Sequence, residues 1–143
     1  MIDFTLFQLK DLEGFESMSN FPNLENTMIM NMQCPTRHML SLKRDNKMVS
    51  IVGVNTRCAG VGELWTIRGK LVENFKFEFF KAIKHLVDDY ATNYLQFHRL
   101  EMCVYKDDNK LNKWARTLGF EFEGVMKKYG YDKKDYNLYA KVV

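Results

Sequence analysis

The stretch HRLEMCVYKDDNKLNKWARTLGFEFEGV, from His98 to Val125, constrains the fold more than any other part of the chain. Leu100, Met102 and Val104 alternate with polar neighbours, the period of a strand with one buried face. Asp107 and Asp108 end that strand, and Asp108 is placed as an N-cap, its carboxylate accepting from the free N–H groups of the next turn. Leu111, Trp114, Ala115 and Leu118 then share one face of a helix of about three turns. Gly119 supplies the left-handed residue that ends the helix, and Phe120 opens a second strand. Such a unit requires a helix laid on a sheet.

The residues before it supply most of that sheet. Residues 2 to 9, IDFTLFQL, read as a first strand, after which Asp11 is placed to cap a short helix through about Met18. Asn20 to Thr36 holds both prolines, Pro22 and Pro35, with Met28, Met30 and Met32 between them. Such a methionine patch reads as core, and its second reading is the border of an acceptor groove. His38 to Lys43 and Met48 to Thr56 are two strands joined by the turn Arg44-Asp45-Asn46-Lys47. Gly60 to Gly62 makes the next turn and Glu63 to Ile67 a third strand. Phe75, Phe79, Ile83, Leu86 and Tyr90 then form the stripe of the longest helix, which runs to Tyr90 or Tyr94 and packs on the sheet. Because that helix separates Glu63–Ile67 from Leu100–Val104, those two strands are expected to be parallel neighbours. Residues 120–126 and 135–142 read as a final hairpin with Tyr136, Leu138, Ala140 and Val142 inward.

Composition excludes several classes. With 143 residues, 46% of them hydrophobic, the chain reads as one globular domain, residues 1–143, with a core of its own. A net charge of +3 is too mild to require nucleic acid, and no specific nucleic-acid partner is expected. Cys34, Cys58 and Cys103 are odd in number and widely spaced, which argues for a reducing compartment and against disulfides or zinc; Cys103 reads as a small core residue. His38, His85 and His98 are scattered, so no metal site or serine-type triad is expected. No window is long and apolar enough for a membrane span, and the first residues lack the basic-then-apolar pattern of a signal peptide. The expectation is a soluble, cytoplasmic protein.

The run RLEMCVYKDDNKLNKWARTLGFEFEGVMKKYG resembles the C-terminal half of the GCN5-related N-acetyltransferase (GNAT) family, whose usual text there is strand, asparagine, helix, Leu-Gly-Phe and Glu-Gly-Val. Leu118-Gly119-Phe120 and Glu123-Gly124-Val125 carry the likeness over residues 98 to 130, and element order carries it over the rest. Taken alone, Leu-Gly-Phe equally describes a helix stop followed by a buried strand. The resemblance implies an α/β (α+β) GNAT fold: a mixed central sheet of about six to seven strands, its parallel fourth and fifth strands splayed apart, flanked by helices.

In that family acetyl-CoA lies in the splay. The resemblance places its pantetheine arm along the free backbone edge of Trp65, Thr66 and Ile67. Its pyrophosphate would sit over the N-terminus of the long helix, where unpaired N–H groups attract anions. The family supplies Gln or Arg, two residues, then Gly, any residue, Gly at that turn, and here Val72, Phe75 and Phe77 stand in those places. Arg68 and Lys70 are candidate phosphate donors and Gly69 a candidate bend, or the three form an ordinary polar turn. Asp108, with Asn109 next to it, occupies the family's capping-asparagine position.

Acetyl transfer to an amine needs a base for the amine proton and an acid for the leaving thiolate. By the resemblance Glu63 is the candidate base, with a solvated strand-edge carboxylate as its other reading. The family's tyrosine acid, four residues before the glycine of Leu-Gly-Phe, is here Ala115, and Tyr105 is the candidate substitute. The acceptor implied is a primary amine of a protein or small molecule. The missing loop glycines also resemble small GNAT-like proteins of podovirus-type phages. That likeness implies a second function: an inactive fold whose groove Phe75 and Phe77 close, acting in the host cytoplasm by contact with a phage or host protein.

Overall fold

A computed structural model describes residues 1–19, 21, 23–34 and 37–143. In chain order the elements are β1 (Asp3–Leu6), α1 (Leu24–Met32), β2 (Arg37–Arg44), β3 (Lys47–Cys58), β4 (Val61–Arg68), α2 (Lys76–His85), β5 (Arg99–Tyr105), α3 (Asn109–Thr117), β6 (Glu121–Met126) and β7 (Tyr136–Val142). The strands form a seven-stranded sheet in the order β1-β2-β3-β4-β5-β7-β6. All pairings are antiparallel except β4 with β5. This is the mixed sheet with a parallel central pair that the sequence leads one to expect.

Local chemistry explains the joints. Asp45 and Asn46 both take left-handed backbone angles, φ 51° and 64°, as a two-residue hairpin turn between right-twisted strands demands. The Asp108 carboxylate accepts from Leu111 N–H at 2.9 Å and opens α3. Gly119, at φ 95°, closes it. α2 provides the crossover from β4 to β5 and continues through wider π-type turns over Leu86–Tyr94, which keep Leu86, Val87 and Ala91 all turned to the core.

Each face of the sheet carries its own core. On one, Leu42, Val52, Val54 and Leu64 pack against Phe79, Ile83 and Val87 of the crossover and against Ala115 and Leu118. On the other, Ile51, Ile67 and Met39 meet Phe7 and Met28. The methionine patch is therefore divided: Met28 is buried, whereas Met30 and Met32 are 68% and 49% exposed, because α1 offers the sheet only a narrow face. Of the segment around it, Asn20, Pro22, Pro35 and Thr36 lie outside the described residues. The last hairpin also differs from expectation. Tyr139 is buried and Val142 is 68% exposed, since α3 covers the strand face that carries Tyr139.

No helix starts at Asp11. A short 3-10 turn, Leu9–Leu12, replaces it, and the Asp11 carboxylate points inward. It accepts from Gln8 N–H at 2.9 Å and Ser41 Oγ at 2.8 Å, and pairs with Lys43 Nζ at 2.8 Å. Burial pushes its pKa up, but the Lys43 ammonium and the two hydrogen bonds outweigh burial and hold it below the usual carboxylate value. A carboxyl depressed in the folded state contributes stability above its unfolded value of about 4 and loses that contribution as pH falls through the folded value. Urea midpoints measured from pH 6 down to pH 2 should therefore drop on the acid side, and Asp11→Asn should flatten that drop. An unchanged acid limb in the variant would exclude this carboxylate as its source.

Candidate active site

The parallel β4/β5 ladder is short. It pairs Val61 with Arg99, Gly62 with Leu100 and Glu63 with Glu101, and stops. Beyond it Leu64–Arg68 and Met102–Tyr105 diverge around a cleft of about 600 Å³. Ile67 and Trp65 sit opposite Ile51 and Gly53 of β3, in the same register as the Gly69 N–H to Val49 carbonyl bond. Backbone groups alternate along a strand, so these residues turn theirs to β3 and Thr66 presents its N–H and C=O to the cleft. The outer end of this edge is covered: Met18 N–H donates to the Arg68 carbonyl and Lys70 N–H to the Glu16 carbonyl, both at 2.8 Å.

Glu63, Trp65, Thr66, Ile67, Arg68, Tyr105 and Asp108 all border this cleft. Gly69, Lys70, Val72, Phe75, Phe77 and Asn109 are not among its lining residues. Gly69 is required for packing, since a Cβ there would stand 2.7 Å from the Val49 carbonyl oxygen. Lys70 pairs with Glu16 at 2.8 Å, and Val72 is core. A 3-10 turn over Lys70–Asn74 precedes α2 and carries the two rings away from the cleft. Phe75 lies beneath the Arg44 guanidinium at 5.3 Å, and Phe77, 70% exposed, beneath Lys81 Nζ at 4.6 Å.

Glu63 is held by Arg57, whose guanidinium also approaches Glu101 at 3.4 Å. Cys103 shares the strand face of Glu101 and Tyr105, so it forms part of the cleft wall and not the core. Burial, with Glu63 adding to it, pushes its thiol up to about 11, so it stays protonated and unreactive at neutral pH. Tyr105 Oη lies 3.3 Å from Asp107 Oδ2, and the Tyr105 ring meets Tyr136 at 6.0 Å. Trp65 lies flat over Gly53, where a Cβ would stand 2.0 Å from the indole, and donates through Nε1 to Asn55 at 3.1 Å. Trp114 enters from α3, stacked on Phe79 at 5.9 Å.

The α2 start receives no side-chain cap, which leaves its first N–H groups available to an anion. Close by, Glu73 is held below the usual carboxylate range first by its hydrogen bond to Lys76 and then by the charges of Lys76, Lys110 and Arg68. Lys76 and Lys110, both in first helical turns, escaped the sequence reading. So did the wall contributed by the β6–β7 connection, Tyr131, Asp132 and Lys134.

A splayed parallel pair at the centre of this sheet order, with helices on both faces, defines the GNAT fold. No family model matches the sequence, and no curated protein matches it. Solved structures do match. A chimera of the spermidine N-acetyltransferase SpeG from Vibrio cholerae with hSSAT aligns at TM-score 0.81 and 13% identity over 99% of this chain and 95% of that one. Mutant forms of the spermidine/spermine N-acetyltransferase SpeG from Vibrio cholerae align at 0.77 and 14% over 99% and 95%. An acetyltransferase of the GNAT family from Streptococcus pneumoniae aligns at 0.74 and 15% over 100% and 99%. At such identities the likeness carries the fold. Among the described residues, no helix is long and apolar enough to cross a membrane, and no group of three His, Cys, Asp or Glu could hold a metal ion.

Proposed function

We propose that the chain is an acetyl-CoA-dependent N-acetyltransferase acting on a primary amine of a protein or small molecule. The observation that carries the reading is the open cleft: β4 leaves β5 beyond Glu63, Thr66 offers an unpaired edge, and the rings of Phe75 and Phe77 stand outside. That placement favours the enzyme over a contact protein with a closed groove, and the named acetyltransferases of the same fold agree with it. Bound acetyl-CoA supplies an activated acetyl thioester. Leu64 and Thr66 would pair with its amide arm, while Arg68, Lys76, Lys110 and the uncapped start of α2 would hold its phosphates. Glu63, oriented by Arg57, takes the amine proton through water, and the Tyr105 hydroxyl returns a proton to the leaving sulfur.

Calorimetric titration with acetyl-CoA, with free CoA as comparison, tests the reading. Binding in the micromolar range, about −8 kcal/mol, is expected, followed by acetyl transfer in a screen of primary amines. Absence of heat together with no shift of Tm at saturating ligand would overturn it.

A further inference from the structure

Lys134 is the one lysine, among the described residues, that lines the cleft. It comes from the connection between β6 and β7, which is tied down near both ends. Lys106 N–H donates to the Asp135 carbonyl at 3.1 Å, Lys128 N–H to the Asp135 carboxylate at 3.0 Å, and Gly130 N–H to the Lys134 carbonyl at 3.3 Å. The anchored loop aims the Lys134 side chain back over the Tyr105 ring, its Nζ 4.9 Å from the ring centroid. Its nearest carboxylate, Asp132, is at 3.9 Å, the outer limit of an ion pair, and the side chain is 54% exposed. The ammonium is thus oriented chiefly by a ring face, not locked in a close ion pair. Tyr105 extends from the same face of β5 as Glu101 and Cys103, on the cleft side of the Glu63–Glu101 pair. A primary amine of the chain itself therefore occupies the half of the cleft where an acceptor amine belongs.

We propose that Lys134 is a self-acetylation site, an inference that rests on the acetyl-CoA reading above. The Nζ ammonium first releases one proton to solvent, and the resulting neutral amine attacks the thioester carbonyl carbon. The N–C bond forms, the C–S bond breaks, its electron pair goes to sulfur, and the second proton leaving nitrogen completes the free thiol. Lys134 is left as a neutral amide. Loss of the charge removes the attraction of the side chain to the Tyr105 face and to Asp132.

The test uses the full chain with acetyl-CoA, tryptic mapping by mass spectrometry, and the exposed neighbour Lys133 as internal control. Acetyl occupancy at Lys134 should exceed that at Lys133 about tenfold or more, because the reacting amine is already positioned. Lys134→Arg should leave that peptide unmodified, and Tyr105→Ala, which removes both the ring that orients the amine and the hydroxyl assigned to the leaving sulfur, should slow modification about a hundredfold or more. A readout independent of turnover is brief labelling of the ligand-free chain with an amine-reactive ester: Lys134 should react more slowly than Lys133, and Tyr105→Ala should erase the difference. Calorimetry on the same sample separates the failures. Acetyl-CoA binding with equal acetylation of Lys134 and Lys133 overturns self-acetylation and leaves the enzyme reading standing. Absence of binding overturns both.

Discussion

Asn112→Ala should destabilise the fold by about 4 kcal/mol in urea unfolding, as a buried polar network loses its hub. The side chain is 5% exposed. Its Nδ2 group lies 3.1, 3.2 and 2.7 Å from the carbonyls of Tyr105, Lys106 and Asp108, so two protons serve three acceptors. Its Oδ1 accepts from Asn137 Nδ2 at 2.8 Å and from the buried Tyr139 hydroxyl at 2.7 Å. Truncation leaves the buried Tyr139 hydroxyl and the part-buried carbonyls short of a partner, and the cost of unmet buried groups exceeds the worth of the bonds themselves. Tyr139→Phe removes only one of the five contacts and should cost about 1 kcal/mol. The difference matters for the cleft as well as for folding, because the three carbonyls lie between the end of β5 and the start of α3, beside Tyr105 and Asp108. A loss below about 1 kcal/mol in Asn112→Ala would show that the network relaxes around the gap.

Arg68→Ala combined with Lys110→Ala should weaken acetyl-CoA binding about thirtyfold. Charge-assisted bonds to phosphate are worth about 1.5 kcal/mol for a half-buried guanidinium, and about 0.5 kcal/mol is a fair value for an exposed ammonium screened by solvent. Glu73→Gln should act in the opposite direction, tightening binding about threefold, because it removes a carboxylate that interacts with Lys76, Lys110 and Arg68. Lys70→Ala should change little, since Lys70 is engaged by Glu16 and is not among the residues lining the cleft. Both effects should shrink as salt is raised. Calorimetry at two ionic strengths checks them together, and unchanged affinity in the double variant would remove the phosphate site from this end of the cleft.

Features held within one turn or one strand were legible in the sequence. The Asp108 cap, the Gly119 stop and the Asp45-Asn46 hairpin each follow from neighbours a few residues apart, and the parallel partnership of β4 with β5 follows from the crossover helix between them. What was not legible depends on distant partners. Asp11 turns inward because Ser41 and Lys43 await it thirty residues later, which no local capping rule reports. Counting along the loop puts Phe75 and Phe77 at the glycine positions, but the 3-10 turn over Lys70–Asn74 changes the path and carries both rings away. The cleft wall from the β6–β7 connection follows no periodicity, so Lys134 and Tyr131 gave no signal. Cys103 is a different case: it alternates with Leu100, Met102 and Val104, and strict parity already places it on the opposite face.

The chain holds two tryptophans, and both border the cleft, Trp65 from β4 and Trp114 from α3. One is pinned flat on Gly53 by its bond to Asn55, and the other is stacked on Phe79 with ring planes 2° apart. All indole emission of this protein therefore originates at the cleft, with no background from elsewhere in the molecule. The protein carries its own optical probe, and its fluorescence registers what enters the cleft before any label is attached or any product accumulates.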